Sequence, residues 1–240
     1  MGRLIRSNIT TGKVDLDTAL QGGLTEGRLH EFYAANVADA PCSAGFAAML
    51  ALRVQEGPLV WLRTEAAERQ MGEIYMPGFA ELGGDPASLI LMLLPDDRMM
   101  LRAAADAAAC SGLGSLVLEF WGKAPLLTLT ASRRLALAAE QSGVTLFLLR
   151  IGAEPVPSAA ATRWRVSAAP STPMAANAPG HSMIEAELLR QRSGPMGMRW
   201  QMEWDRDERA FGEPEISGPV VAMAGHRAVD PRQKRERRSA

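Results

Sequence analysis

The side chains able to do chemistry in this chain are few and scattered. Cys42 and Cys110 stand far apart with no CxxC spacing, and His30, His181 and His226 are equally dispersed. No zinc-type ligand set can be assembled from such spacing. Lysine is nearly absent: Lys13, Lys123 and Lys234 are the complete set, with none between Lys13 and Lys123. That scarcity matters wherever a fixed amine must neutralise a phosphate. Arginine carries the positive charge instead. Arg190 and Arg192 alternate at the end of a strand-like run, and period-two geometry places them on one side of it. The end of the chain gathers Arg227, Arg232, Lys234, Arg235, Arg237 and Arg238 against Asp230 and Glu236, or 6 − 2 = +4. With a formal net charge of −1, the remainder carries −5. Such a run reads first as a solvated tail, and second as a contact for DNA or an acidic partner. The molecule as a whole has no bulk attraction for nucleic acid or anionic lipid.

The elements that must position these residues follow a regular grammar. Apolar runs at Leu29–Tyr33, Leu59–Leu62, Leu89–Leu94, Ser115–Phe120 and Val144–Leu149 read as strands. Between them lie helical patterns at Ser43–Gln55, Glu65–Tyr75, Met99–Cys110 and Ala131–Gln141. Strands apolar throughout and separated by helices predict a parallel sheet covered on both faces, the doubly wound α/β pattern. After Ile151 the pattern changes. Thr162–Ser167 alternates, with Trp164 and Val166 against Arg163 and Arg165. Ile184–Arg192 and Met198–Trp204 flank Ser193-Gly194-Pro195, a hairpin by its turn chemistry. The expectation is a mostly parallel sheet with antiparallel C-terminal strands over residues 1–211. A disordered tail is expected over 212–240, basic at its end at Arg232, Lys234, Arg235, Arg237 and Arg238. At 240 residues, 47% hydrophobic and 22% charged, the chain fits one globular domain plus a tail. No apolar run reaches the roughly 20 residues needed to span a bilayer. The first residues lack the long apolar core of a signal peptide. The unpaired cysteines fit a reducing, cytoplasmic setting.

One ordered string is more specific. Thr11-Gly12, then Leu16-Asp17-x-Ala19-Leu20-x-Gly22-Gly23-Leu24-x-x-Gly27-Arg28-x-x-Glu31-x-Tyr33, resembles the opening of RecA-type domains. The resemblance implies a RecA-like doubly wound fold, and it implies that a phosphate loop, G-x-x-x-x-G-K-[ST], comes next. In such a loop backbone N–H groups at a helix N-terminus hold phosphates and the lysine neutralises them. Here the stretch runs from Ala34 through Asp39, Pro41, Ser43 and Gly45 to Phe46 and contains no lysine. Pro41 removes a donor, and Asp39 adds negative charge where phosphates would sit. No ATP or other cofactor is therefore expected, and the chain reads as an adaptor rather than an ATPase. By the same resemblance Glu65 matches the glutamate that activates the attacking water, and Glu119 stands on the Walker B strand in place of aspartate. Without a phosphate site Glu65 reads first as an ordinary acid at a helix N-terminus, where the dipole favours it. Both are vestigial acids without a phosphate site to serve. Arg190 and Arg192 resemble alternate lysines that reach a neighbouring subunit's nucleotide, which makes them candidate partner-facing residues. The alternative is a solvated strand face. The connections in the places of RecA's DNA-gripping loops, Trp121–Pro125 and Ile151–Ala161, are not basic.

Further strings extend the similarity from Thr11 to Phe211. They are Ser132-Arg-Arg-Leu-Ala-Leu-Ala-Ala-Glu-Gln-Ser-Gly-Val144, Pro157-Ser-Ala-Ala-Ala-Thr-Arg-Trp-Arg-Val166, Glu187-Leu-Leu-Arg-Gln-Arg192 and Glu203-Trp-Asp-Arg-Asp207. In this ordered set the chain resembles the ImuA family, RecA-like proteins of a damage-induced mutagenesis cassette. What that implies is a non-catalytic role in error-prone translesion synthesis within the SOS response. The implied partners are ImuB (a Y-family-like polymerase without catalytic competence) and an error-prone replicative-type polymerase subunit. RecA is a further candidate partner, and DNA contact is expected to be indirect or weak. Two alternatives stay open at this level. One is a RecA-superfamily repair ATPase with an atypical nucleotide site; the other is a SulA-like cell-division inhibitor. Trp61 and Trp121 fall at the ends of core strands, where ligands approach in open α/β sheets, although burial is the ordinary explanation for them.

Overall fold

The computed structural model describes residues 7–34, 36–54, 57–171 and 181–213. In chain order the elements begin with β1 (Asn8–Ile9), α1 (Val14–Ala19), β2 (Leu24–Thr25), β3 (Leu29–Ala34) and α2 (Ala40–Ala51). They continue with β4 (Leu59–Thr64), α3 (Glu65–Met71), α4 (Met76–Glu81), β5 (Leu89–Leu94) and α5 (Asp97–Ala108). The last are β6 (Ser115–Trp121), α6 (Leu129–Ser142), β7 (Thr145–Ile151), β8 (Thr162–Ala169), β9 (Met183–Gln191), β10 (Met198–Asp205) and β11 (Ala210–Gly212).

Nine strands form one sheet in the order β11-β10-β9-β8-β3-β7-β6-β4-β5, and β1 pairs with β2 apart from it. From β8 to β5 every pairing is parallel, whereas β8–β9, β9–β10 and β10–β11 are antiparallel. The sequence reading of a parallel core followed by antiparallel strands is thus the observed architecture. One core layer lies between the sheet and α1, α2 and α4, centred on Phe32, Phe46, Val117, Phe147 and Trp164. The other packs Leu116, Leu118, Leu146 and Leu148 against α5 and α6. Burial on both faces explains the apolar stretches Leu59–Leu62 of β4, Leu116–Leu118 of β6 and Leu146–Leu149 of β7; β3 is equally buried but carries His30 and Glu31. At the antiparallel end, among the described residues, one face is packed into the core and the other is more exposed. There Trp164, Ile184, Ala186, Trp200 and Met202 point inward. The outer face carries the pairs Arg165–Glu187 (3.0 Å) and Arg199–Glu187 (3.3 Å).

Several expectations are corrected. Leu89–Leu94 is not a buried strand: β5 is the sheet's edge, with Ile90, Met92 and Leu93 exposed. The stretch Glu65–Tyr75 is not one helix. It breaks after Met71, where Gly72 takes φ 78°, and a separate α4 follows. The helix expected from Ser43 begins at Ala40, because Pro41 sits in its first turn, where a missing N–H costs nothing. The strand expected over 184–192 ends at Gln191, so Arg192 lies just beyond it. β11 falls within the anticipated domain except for Gly212, and the basic tail from Pro214 onward lies outside the described residues.

The opening string closes the domain. Asp17 accepts from the Thr11 N–H (2.8 Å), the Thr11 hydroxyl (2.8 Å) and the Gly12 N–H (3.1 Å). The Phe211 N–H donates to the Thr11 carbonyl (2.8 Å), and Lys13 pairs with Glu213. At Gly12 (φ 96°) an added Cβ would stand 2.7 Å from the Ala210 Cβ; at Gly23 (φ 113°) it would stand 2.2 Å from the Ile9 carbonyl oxygen. These two glycines are required both by backbone conformation and by close approach.

Candidate functional site

In an open α/β sheet, ligands approach beyond the C-terminal ends of the strands. Here that edge carries a cleft of about 310 Å³ between the first turns of α2, the ends of β4 and β6, and the segment from Met71 to Leu82. Its walls are largely apolar: Pro41, Ala44, Trp61, Met71, Ile74 and Phe79. Gly45 also lines it, and a Cβ there would meet nothing within 4 Å.

The polar side chains at the cleft are committed to one another. Glu119, on β6, accepts from the Trp121 indole (2.8 Å) and an Arg63 guanidinium nitrogen (3.3 Å) on Oε1, and from the Trp61 indole (3.1 Å) on Oε2. Arg63 also donates to the Gly72 carbonyl (3.0 Å), while its Nε lacks an acceptor. The strand order explains the meeting. β4 lies beside β6, and Trp61, Arg63, Glu119 and Trp121 project from the same sheet face with period two. Sequence reasoning named Glu119, Trp61 and Trp121 separately and missed Arg63. The available signal was the pair of alternations Trp61-x-Arg63 and Glu119-x-Trp121 on adjacent strands.

The positions that the resemblance reads as a degenerate phosphate loop are placed as follows. Ala34 ends β3 and is buried; Asp39 precedes α2 and is also buried. One oxygen of Asp39 takes the Ala168 N–H of β8 (2.9 Å), the other the Asn36 side-chain amide (2.5 Å). Its carboxylate therefore ties the start of α2 to β8 and leaves α2 without a side-chain cap. Ser43 is fully buried, and its hydroxyl has no hydrogen-bond partner among the described residues. Next to it burial pushes the Cys42 thiol up to about 12, with the Asp39 charge adding to the shift, so thiolate chemistry is suppressed. Glu65 opens α3, is exposed, and pairs with Arg69 at 3.7 Å across one helical turn. Arg190 and Arg192 are both exposed and make no ion pair among the described residues.

A nucleotide with its magnesium, which a RecA-like fold implies, does not fit this set. Both oxygens of Glu119 are engaged, both oxygens of Asp39 are engaged, Pro41 withholds an N–H, and no lysine lies between Lys13 and Lys123.

The opposite face of the same edge holds a second acid–arginine cluster that sequence reading missed entirely. Glu31 of β3 is wholly buried. It accepts from the Tyr33 hydroxyl (3.0 Å), the Ser158 hydroxyl (2.6 Å) and Arg163 Nε (3.0 Å), with Arg150 3.8 Å away. Arg163 donates onward to the Val156 carbonyl (2.6 Å) and Ser158 (2.8 Å). Arg150 and Arg163 both lie over the Tyr33 ring. Burial and the Glu31 charge push the Tyr33 phenol up to about 12. The connection after β7 is thereby tied down to the sheet.

Fold and site together define a RecA-like α/β domain whose nucleotide-side cleft is lined by apolar groups and an internally paired acid. Among solved structures, that of the RadB recombinase superimposes with a TM-score of 0.58 over 85% of this chain and 99% of that one, at 15% identity. That similarity establishes the fold alone. No family model matches the chain. The chain is 32% identical over 167 residues to Protein ImuA of Caulobacter vibrioides, in strains NA1000 / CB15N and ATCC 19089 / CIP 103742 / CB 15 alike. The match takes in 63% of this chain and 64% of that protein, so the chain spans somewhat less than two thirds of these relatives' length. It supports the assignment to the ImuA family made from the ordered strings.

Proposed function

We propose that the chain is a non-catalytic accessory protein of an error-prone translesion DNA synthesis complex. In this reading it acts with ImuB and an error-prone polymerase subunit, in the cytoplasm and under the SOS response, and it docks on RecA. The observation that carries the reading is the Arg63–Glu119 pair at the cleft. The carboxylate that a RecA-type ATPase would turn toward magnesium is instead committed to an arginine and two indoles. A domain built this way keeps a RecA-like surface while its strand-end acid is held in internal contacts. The similarity to ImuA supplies the partner class.

Three measurements test this. Titration of the full chain with ATP and magnesium is expected to give no saturable binding in the micromolar range. Magnesium-dependent binding there would restore the ATPase reading. Co-purification with ImuB is expected to succeed for the full chain and for a version ending at Phe211. Loss on truncation would place the contact on the basic tail at Arg232–Arg238. Arg190→Glu with Arg192→Glu is expected to weaken RecA retention in a pull-down, and unchanged retention would remove these two residues from the interface.

A further inference from the structure

The connections expected to carry DNA contacts are not basic, yet the two helices on the Glu31 face expose four arginines. α5 and α6 pack side by side on the sheet. Both follow strands of the parallel half, so they run in the same direction. Their C-terminal ends are aligned, because the Ser142 hydroxyl donates to the Ala108 carbonyl (2.6 Å). From these aligned ends, at about 1.5 Å per residue, Arg102 lies about 9 Å back, Arg134 about 12, Arg133 about 13 and Arg98 about 15 Å. Neighbouring helices pack about 8–10 Å apart. Four arginines therefore occupy one band about 6 Å deep across two adjacent helices. All four are exposed, and none makes an ion pair or a side-chain hydrogen bond among the described residues.

The acids on the same helices lie toward the helix ends: Asp96 and Asp97 at the start of α5, Asp106 one turn beyond Arg102, and Glu140 in the last turn of α6. Asp106 is exposed but lies only about 3 Å from the aligned ends, outside the band. Glu140 is paired with Arg28 at 2.7 Å. Asp97 is half-buried in the first turn of α5, where burial raises its pKa, with Asp96 adding to the rise and Arg150 opposing it. Asp96 caps α5 through the Met99 N–H (2.8 Å). A cationic band on a chain whose remainder is acidic is a local feature and not a property of composition.

We infer that this two-helix face binds the phosphate backbone of duplex nucleic acid without reading its sequence. Guanidinium groups suit phosphate oxygens, to which they donate in pairs. Phosphate contacts position a protein and carry no base information. A duplex fits better than a single strand. Single-strand grooves rely on aromatic side chains for base stacking, and neither α5 nor α6 contains an aromatic residue. The face lies on the opposite side of the sheet from the cleft, and a variant at Arg190 and Arg192 separates the proposal from the partner assignment.

The test is fluorescence anisotropy of the full chain with a labelled duplex of about 20 base pairs at low salt, followed through a salt series. Binding is expected, with log K falling against log salt at a slope of about −3 to −4 for four contacts. The R98Q/R102Q/R133Q/R134Q variant, altered only at exposed positions, is expected to keep its melting temperature and lose at least about tenfold in affinity. R190Q/R192Q and the tail variant R235Q/R237Q/R238Q are expected to bind as the parent does. Four results overturn the proposal. They are no duplex binding at low salt, unchanged binding by the four-site variant, loss confined to the tail variant, and single-strand binding as tight as duplex binding. Equal competition by polyglutamate would assign the face to an acidic protein and overturn it as well.

Discussion

The two acid–arginine clusters share one edge of the sheet and much of the same chemistry, and they differ in what covers them. Glu31 is sealed beneath the connection that follows β7, with four polar groups of its own chain around it. Glu119 borders an open cleft and meets one arginine and two indoles. Both examples bury charge, which stabilises a fold only where geometry repays desolvation. In the sealed cluster the repayment includes ordering a connection: Arg163 and Ser158 fix Val156–Ala159 against β3. In the open cluster the pairing instead withholds a carboxylate from the cleft. The same pair of residue types thus builds structure on one face and silences a potential ligand on the other.

The sealed side should be the more costly to break. Glu31→Ala leaves Arg150 and Arg163 facing each other without an anion, and about 3–5 kcal/mol of unfolding free energy is expected to be lost. Denaturant unfolding measures the loss, and proteolysis should newly appear within residues 152–161. A loss under about 1 kcal/mol would show that the cluster does not hold this connection.

Next to Glu31, His30 is buried titratable chemistry of the neutral kind. Its Nε2 lies 3.0 Å from the Thr25 carbonyl, and its Nδ1 lies 2.8 Å from the Thr162 hydroxyl, which in turn accepts the Trp164 indole N–H at 2.7 Å. A carbonyl can only accept, so Nε2 bears the proton and Nδ1 accepts from Thr162. Desolvation lowers its pKa from 6.5 to about 4, opposed in part by the Thr25 bond. The unfolded chain therefore binds the extra proton between pH 6.5 and 4, and stability falls as pH falls through that window. The shift corresponds to about 3 kcal/mol. His30→Gln should flatten stability across this range. An undiminished acid loss in that variant would move the effect to the carboxylate clusters.

The pattern of what the sequence disclosed follows from the same geometry. β4, β6 and β7 were legible because burial on both faces favours apolar stretches, and β3, which carries His30 and Glu31, was legible from the opening string that leads into it. β5 has the same composition but no neighbour beyond it, and an apolar run does not reveal whether a strand is central or last. β1, β2 and β11 are too short for any periodicity. Neither cluster could be assembled from one strand alone. Arg63 meets Glu119 because β4 lies beside β6, and Glu31 meets Arg150 and Arg163 because β3 lies between β7 and β8. The opening string disclosed the RecA-like fold. The Asp39 strut and the Arg63–Glu119 pair depend on neighbours that only the folded sheet supplies.

On the open side the costs should be smaller. Glu119→Gln keeps the shape and one acceptor, and water in the cleft can reach the Arg63 region, so about 1–3 kcal/mol is expected. A loss equal to that of Glu31→Ala would erase the distinction between sealed and open clusters. Replacing the pair together, Arg63→Met with Glu119→Leu, should restore much of the loss, because well-packed apolar side chains often match a buried ion pair. If the double variant is no better than the single one, the indole bonds of Trp61 and Trp121 account for the stability, since they also lose their acceptor.

Glu65 gives the smallest effect and the clearest contrast with Glu119. Both acids lie near the C-terminal ends of neighbouring strands, Glu65 just after β4 and Glu119 among the last residues of β6, and the sequence resemblance singled out both. Yet Glu65 faces solvent with a 3.7 Å contact to Arg69, and an exposed helical pair of this kind is worth about 0.3–0.5 kcal/mol. Glu65→Gln should therefore shift the unfolding midpoint only slightly and leave ImuB retention unchanged. The helix start remains capped through the Thr64 hydroxyl, which accepts the Ala67 N–H at 3.1 Å. A loss above about 1 kcal/mol, or a change in partner retention, would mean that Glu65 has a contact beyond its own helix. The functional reading of that acid would then return.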